Sequence, residues 1–562
     1  MSLIQKISSA RLESVENLLK RLFGWGNKPE QGNCFGSYAL TIATALAVSL
    51  YMSVGLARAQ WSIFADHELR SYLVAYPQLS LADFPSLLLQ TEVGYPGQLT
   101  RFRPINYLFY SSEALAWGNS YFLLNVARIA GLCIFSTFLF LALRRFFPAL
   151  VACGIGALCL TSVYWKFVWI GFGVNEQYLA LLSIPFTWAY VRLYWHTKSG
   201  NSNMPITWAI CLVSAALLAG TKEPMAVLAP ALVILIGLSV YYDRRYDYRL
   251  VAGAITIALI SAVVWAILHG LAAHGNADFY GNSVAPSERL AKIFYGLRTY
   301  PFPVLFALGL ASIGLGAAAR RALPTGESVR AINCAIQFQF WLLALSLSHL
   351  VFYDGWPRGN RYEFPGQLFV FASFLIPLFI AGRILRAIRP RLWMPYQACI
   401  FLLAIGATLS RGYSDFRNDV AIYVESSRKF TAAILTATAQ AKSQPGAQIV
   451  VEAMSPYDLE PIFAINRFLV SLGVTNPLFV RPHQLASAAY PKNAFFQGLI
   501  DTIEAVSEHG NITKDTGVGT LPGPFFVNYK PISSFSASLP CLSIRLNKAP
   551  YDGCVPIATV AY

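Results

Sequence analysis

Charge is what this chain has least of. Only 13% of its 562 residues are Asp, Glu, Lys or Arg, whereas 56% are hydrophobic and the mean hydropathy is +0.49. A soluble protein carries about twice that charged fraction, so a water-soluble globular enzyme is excluded. Acids are scarcer than bases, 28 against 43, for a net charge of +15. No Cys-x-x-Cys pair or other metal-ligand spacing occurs among the nine cysteines, which argues against a structural zinc module. There is no internal repeat and no low-complexity tract, which removes solenoids and disordered linkers. A cleavable signal peptide is not expected either. The N-terminus is basic and amphipathic, and the first apolar run starts too late and runs too long.

What the chain does have is long apolar runs. Several approach the ~20 residues that cross a bilayer core. They lie near 38–57, 121–142, 148–165, 177–194, 205–220, 225–241, 249–270, 301–319, 332–352, 364–382 and 395–410. The sequence therefore predicts a polytopic α-helical membrane protein with about eleven transmembrane helices. Basic residues gather at alternate ends of these runs: Arg144 and Arg145; Arg244, Arg245 and Arg249; Arg320 and Arg321; Arg383, Arg386, Arg389 and Arg391. That is the positive-inside pattern. It accounts for much of the net charge through membrane topology, so no nucleic acid partner is expected. An odd number of spans with the N-terminus cytoplasmic places the C-terminus outside, in a bacterial inner or plasma membrane.

Three regions follow. Residues 1–36 form a cytoplasmic segment in which Leu3, Ile4, Ile7, Val15, Leu18, Leu19, Leu22 and Phe23 recur at helical spacing between Lys6, Arg11, Lys20 and Arg21. Such a helix lies on the membrane surface or packs on the bundle. Residues 37–410 form the transmembrane domain, with a long first outer loop over 58–120. Residues 411–562 change composition and predict an extracytoplasmic α/β domain. GAQIVVEAM, PLFVRP, PFFVNY and CLSIRL read as strands, and Leu459 to Leu472 and Phe495 to His509 as helices. Outside the cytoplasm, Cys541 and Cys554 become a plausible disulfide. Six cysteines (133, 153, 159, 211, 334 and 399) sit in apolar runs as small core residues.

The polar residues are concentrated on the outer side. The first loop holds Asp66, His67, Glu68, Asp83, Glu92, Arg101 and Arg103. An acid beside hydrocarbon is costly to desolvate. Asp66, about nine residues past the first span, is placed to act as a general base on an acceptor hydroxyl; capping a short helix is its plain alternative. Glu68 and His67 are a candidate second acid and a metal or phosphate contact, or solvated loop residues. If the chain is extended at RFRP, Arg101 and Arg103 point the same way and fork onto a phosphate; a rim for lipid headgroups is the other reading. Lys222 and Glu223 occupy a hairpin too short to be solvated. They are read either as a phosphate-holding lysine with its positioning acid or as a self-neutralising pair. Arg358, Arg361, Tyr362 and Glu363 come to the same outer face. Glu176, Asp278 and Glu288 are weaker acidic candidates, read chiefly as loop residues.

An acid after the first span, followed by RFRPINYLFYSSEALAWGNSYFLLNVARI, resembles the GT-C superfamily of membrane glycosyltransferases. It is closest to the protein O-mannosyltransferases and the O-mannosyltransferases that carry tetratricopeptide repeats. Arg103, Pro104, Gly118 and Asn125 match one family pattern, Lys222 and Glu223 a second, and Arg361, Tyr362 and Pro365 a third. The resemblance covers roughly residues 38–410. Family members often carry two adjacent acids in the first loop, whereas here His67 separates Asp66 from Glu68. The C-terminal region shows no tetratricopeptide pattern.

The resemblance implies inverting transfer of a sugar from a polyprenyl-phosphate-linked donor to a hydroxyl on a glycan, lipid or protein. Asp66 would be the catalytic base. Arg103, Lys222 and Arg361 would hold the donor phosphate, with Glu68, Glu223, Arg101, Tyr362 and Arg358 in support. No cofactor is specified, and participation of a divalent metal stays open. Membrane lipids are the surrounding partners. Trp61, Trp165, Trp169 and Trp356 offer faces on which a sugar can stack, although interfacial tryptophans are usually anchors. The alternatives are a lipid-linked-glycan polymerase or ligase, a transporter or flippase, and a membrane scaffold. A transporter predicts repeated halves and mid-span charges, and the sequence shows neither.

Overall fold

The computed structural model describes residues 34–62, 80–83, 92–95, 98–101, 104–161, 175–198, 205–222, 286–299, 302–323, 366–453, 459–482, 535–546 and 554–560, with isolated positions between them. The expected N-terminal helix, most of the spans near 225–241, 249–270 and 332–352, the strand PFFVNY and the helix 495–509 lie outside these residues.

Helix α1 runs over Cys34–Ser53 and continues as a 3-10 turn over Val54–Arg58. Its hydroxyls turn back on the helix's own backbone: Thr41, Thr44, Ser49 and Ser53 each donate to the carbonyl four residues back, at 2.7–2.8 Å. Polar side chains are thereby satisfied without water, as hydrocarbon demands. The first loop contains a short antiparallel hairpin, β1 (Glu92–Tyr95) and β2 (Gln98–Arg101). Helix α2 then spans Pro104–Trp117 and α3 spans Tyr121–Arg144. Further helices are α4 (Ala149–Leu160), α5 (Asn175–Lys198), α6 (Pro205–Thr221), α7 (Pro286–Arg298), α8 (Phe302–Ala322), α9 (Gly366–Ile388) and α10 (Pro390–Ala407). Among the described residues, five stretches are long and apolar enough to cross a membrane: Gly36–Arg58, Tyr121–Arg144, Phe302–Arg321, Val370–Ile388 and Pro390–Ser410. Ala149–Leu160 and Pro205–Thr221 are apolar but shorter.

Helices α1 and α3 pack antiparallel, fixed at both ends. Arg144, in the last turn of α3, donates to the Ser37 hydroxyl at 2.8 and 3.0 Å. Asn125, in the first turns of α3, donates to the Ala59 carbonyl at 3.0 Å. The arginine end of the bundle is therefore opposite the end that carries Ala59. Two glycines mark close approaches. A Cβ at Gly220 on α6 would lie 2.6 Å from Ile105 on α2, and one at Gly156 on α4 would strike the Phe140 ring.

Helix α10 does not stop where the composition changes. It passes through a π-helical segment, Thr408–Gly412, into α11 (Tyr413–Ser443). The sequence places a boundary at 410–411; the backbone runs helical across it. Beyond α11 the chain forms β3 (Gln448–Ala453), α12 (Leu459–Ser471), β4 (Leu478–Pro482), β5 (Cys541–Leu546) and β6 (Val555–Val560). The four strands make a parallel sheet in the order β4-β3-β5-β6. Parallel neighbours need a crossover, and α12 supplies it between β3 and β4. One face of the sheet, with Ile449, Val451, Leu542 and Ile544, packs on Phe430, Ile434, Ile465 and Phe468 of α11 and α12. The other face carries Val450, Phe479, Phe535 and a disulfide between Cys541 and Cys554, whose Cα atoms are 5.1 Å apart.

The disulfide ties the first residue of β5 to the residue preceding β6. Denaturing the purified protein without reductant should leave Cys541 and Cys554 unalkylated in a peptide-mass experiment, and adding reductant should expose both. Labelling of either before reduction would reject the bridge.

Candidate functional site

The end of the bundle opposite the arginines gathers the buried polar groups of α2, α3, α5 and α6. Pro104 opens α2, where its missing N–H is no loss. Gly118 closes it with φ +53°, a left-handed conformation that favours glycine. Ser120 caps α3 by accepting from the Leu123 N–H at 3.3 Å. The Arg-Pro, Gly and Asn pattern thus acquires a structural account: a helix start, a helix stop and, through Asn125, a tie to the end of α1. Arg103 itself lies outside the described residues.

Two ion pairs sit here. Arg128 on α3 forks onto both carboxylate oxygens of Glu113 on α2, each at 2.6 Å. Their side chains are 6% and 14% exposed. Lys222, just past α6, meets Glu176 at the start of α5 at 2.5 Å, with 2% and 4% exposure. Tyr178 joins the two pairs. It is two residues beyond Glu176, its ring lies 5.6 Å from the Arg128 guanidinium carbon, and Phe109 stacks on it at 4.4 Å with an interplanar angle of 9°. Tyr110 meets it edge-on at 6.0 Å. Between them, Gln177 donates to the Val168 carbonyl at 2.6 Å.

Within the same belt, several buried polar atoms have no hydrogen-bond partner: both amide atoms of Asn106 and the Ser111 hydroxyl. Asn106 and Ser111 are 0% exposed and lie on the buried face of α2. Asn106 follows Ile105, which packs at Gly220, two residues before Lys222. A buried amide without a partner costs roughly 1–3 kcal/mol by mutational measure, so this side chain is suited to a polar occupant.

The expected site residues divide sharply. Lys222 is placed and buried, but its counter-ion is Glu176, which the sequence reading left as a loop residue; α5 begins one residue earlier and carries that carboxylate inward. Arg101 ends β2, in register with Glu92. Extension does not continue far past it, because α2 begins at Pro104. Asp66, Glu68, Arg103, Glu223, Arg358, Arg361 and Tyr362 lie outside the described residues. Trp165 and Trp169 are not available for stacking on a sugar: both are buried against Phe135 at 4.9 and 6.0 Å. Glu113, Arg128 and Tyr178 were not singled out from the sequence. The signal was there: an arginine two turns inside an apolar span requires a counter-charge. Among the described residues, no three His, Cys, Asp or Glu side chains gather as metal ligands.

The C-terminal sheet and its helices sit against this same end. Trp61 packs its ring on Phe468 at 5.8 Å and on Tyr121 at 6.5 Å. Thr431 donates to the Trp61 carbonyl at 3.2 Å, and the Gln60 N–H donates to the Ser427 hydroxyl at 3.0 Å. One continuous apolar cluster runs from Tyr107, Tyr110 and Tyr178 through Trp61 to the sheet.

Removing one member of the Arg128–Glu113 pair strands a buried charge. Arg128→Met alone should destabilise the detergent-solubilised protein by about 3–5 kcal/mol, and Arg128→Met with Glu113→Leu should recover most of that loss. Thermal unfolding of the three proteins checks this. Additive effects of the two substitutions would count against a coupled pair.

Searches against protein-family models, curated proteins and solved structures each found no match to this chain.

Proposed function

We propose that this chain is a multi-spanning membrane glycosyltransferase of GT-C type. It moves a sugar, with inversion, from a polyprenyl-phosphate-linked donor to a hydroxyl on a glycan, lipid or protein. In this reading the full complement of about eleven spans leaves the N-terminus cytoplasmic. The α/β region then lies outside the cytoplasm, over the site. The observation that carries the proposal is the convergence of Lys222–Glu176, Arg128–Glu113 and the partnerless Asn106 amide at one end of four apolar helices.

The chemistry sets what such a site must supply. The acceptor oxygen forms a bond to the anomeric carbon, the bond from that carbon to the phosphate oxygen breaks, and the lipid phosphate departs with the electron pair. The acceptor proton needs a base, a role assigned to Asp66. The departing anion needs fixed donors in a dry place, where they act most strongly. Lys222 serves there with Arg103 and Arg361. Because Glu176 already neutralises Lys222, the lysine contributes a donor, and the two arginines contribute the excess positive charge. Asn106 and Ser111 suit the hydroxyls of a sugar, which both donate and accept.

A polymerase or ligase would use the same lipid-linked donor and differs only in acceptor. For Lys222–Glu176 a transporter reading fits less well, because Glu176 is the second residue of α5 and Lys222 follows the last residue of α6; Arg128, two turns into α3, is a charge inside a span and is paired with Glu113.

Purified protein given a polyprenyl-phosphate-linked sugar should release polyprenyl phosphate only when acceptor is added; no release with any acceptor class would reject the transferase reading. Asp66→Asn should abolish this release while expression and unfolding temperature stay unchanged, and retained turnover would remove Asp66 as the base. The double variant Lys222→Gln with Glu176→Gln keeps shape and leaves no stranded charge. It should fold and lose roughly 10²-fold in turnover, whereas turnover within twofold of the parent would dismiss Lys222 from the reaction.

A further inference from the structure

A groove of about 480 Å³ runs along α1, lined by Ala43, Thr44, Ala47, Val48 and Tyr51. Its position within Gly36–Arg58 puts it at the depth of the hydrocarbon. The small side chains at 43, 44 and 47 recur at helical spacing and hollow out one face, about 12 Å long at 1.5 Å per residue. Thr44 gives its hydroxyl to the Leu40 carbonyl at 2.8 Å and leaves only its methyl for the groove. The lining is therefore apolar throughout, up to the phenol of Tyr51.

At Tyr51 the chemistry changes. Arg417, on the exposed face of α11, donates to the Tyr51 hydroxyl at 2.9 Å and holds its guanidinium carbon 5.0 Å from the ring centroid. Arg417 lies one turn beyond the π segment, at the level where the spanning helix leaves the hydrocarbon. Arg58, at the end of the same 3-10 turn that extends α1, is also exposed. Asp419, two residues past Arg417, is half-buried. An open apolar groove that ends on an exposed guanidinium matches one class of molecule in a bilayer, an acyl chain that ends on an anion. Arginine grips a phosphate through paired, charge-assisted hydrogen bonds.

We propose that the groove on α1, with Arg417 at its head, is a binding site for one anionic diacyl phospholipid, whose chain lies along Ala43–Tyr51 and whose phosphate meets Arg417. The site is separate from the polar belt of α2, α3, α5 and α6 and does not depend on glycosyl transfer. The lipid would sit where α1 meets α11 (a Cβ at Gly55 would lie 3.0 Å from Val420) and so seal the joint between the membrane helices and the C-terminal sheet.

The test uses the full chain in nanodiscs that contain phosphatidylcholine with a minority of phosphatidylglycerol. Native mass spectrometry after gentle release should retain one phosphatidylglycerol in preference to phosphatidylcholine. Arg417→Gln should weaken that retention about tenfold, the value of one charge-assisted contact. Ala47→Phe, which fills the groove without touching a charge, should do the same with no change in unfolding temperature. Equal retention of the two lipids, or either variant retaining phosphatidylglycerol like the parent, would overturn the proposal. Retention of added polyprenyl phosphate in place of phosphatidylglycerol would overturn it too, and would assign the groove to an isoprenoid lipid.

Discussion

Charge that is removed from water must bring its own partner, and much of this structure follows from that constraint. Arg128 sits about two turns into an apolar helix, where an isolated guanidinium would be costly. Glu113 answers it with both oxygens, and to do so α2 must lie against α3. Lys222 makes the same demand on Glu176, which fixes the start of α5 beside the end of α6. Four helices are thus located by two carboxylates. Dispersion and apolar burial hold the bundle together, but they are nearly indifferent to a small slide or rotation. The ion pairs are not, and they select one arrangement among many that would pack equally well.

Tyr178 makes those two decisions one. Its ring is held by Phe109 on one side and lies beside the Arg128 guanidinium, and its backbone is two residues from Glu176. The same apolar cluster continues through Trp61 to Phe468, so the sheet rests on the floor that the ion pairs define.

Much of this architecture can be read in the residues. Apolar length marked five of the described helices as able to cross a membrane, and short apolar runs marked β3, β4 and β5 in the C-terminal region. Helical spacing marked α12. The site was less legible. Lys222 stands out in sequence because it is a lysine in a tight hairpin, but its counter-ion is not its neighbour in the chain. Glu176 lies 46 positions away, and no local pattern encodes such a distance. Glu113 and Arg128 were hidden for a related reason: each occurs singly inside an apolar stretch, and only the fold shows that they face one another. At 410 composition changes while backbone hydrogen bonding does not. A helix can leave hydrocarbon for water without any break, provided its exposed face changes from leucine to charge.

That unbroken passage has a mechanical meaning. From Pro390 to Ser443 the chain is helical without a break, its only irregular segment being the wider π turn. A flexible linker would let the C-terminal sheet tumble and average its orientation. A continuous helix does the opposite: together with the Trp61–Phe468 contact it ties the orientation of the sheet to that of the helices it packs on.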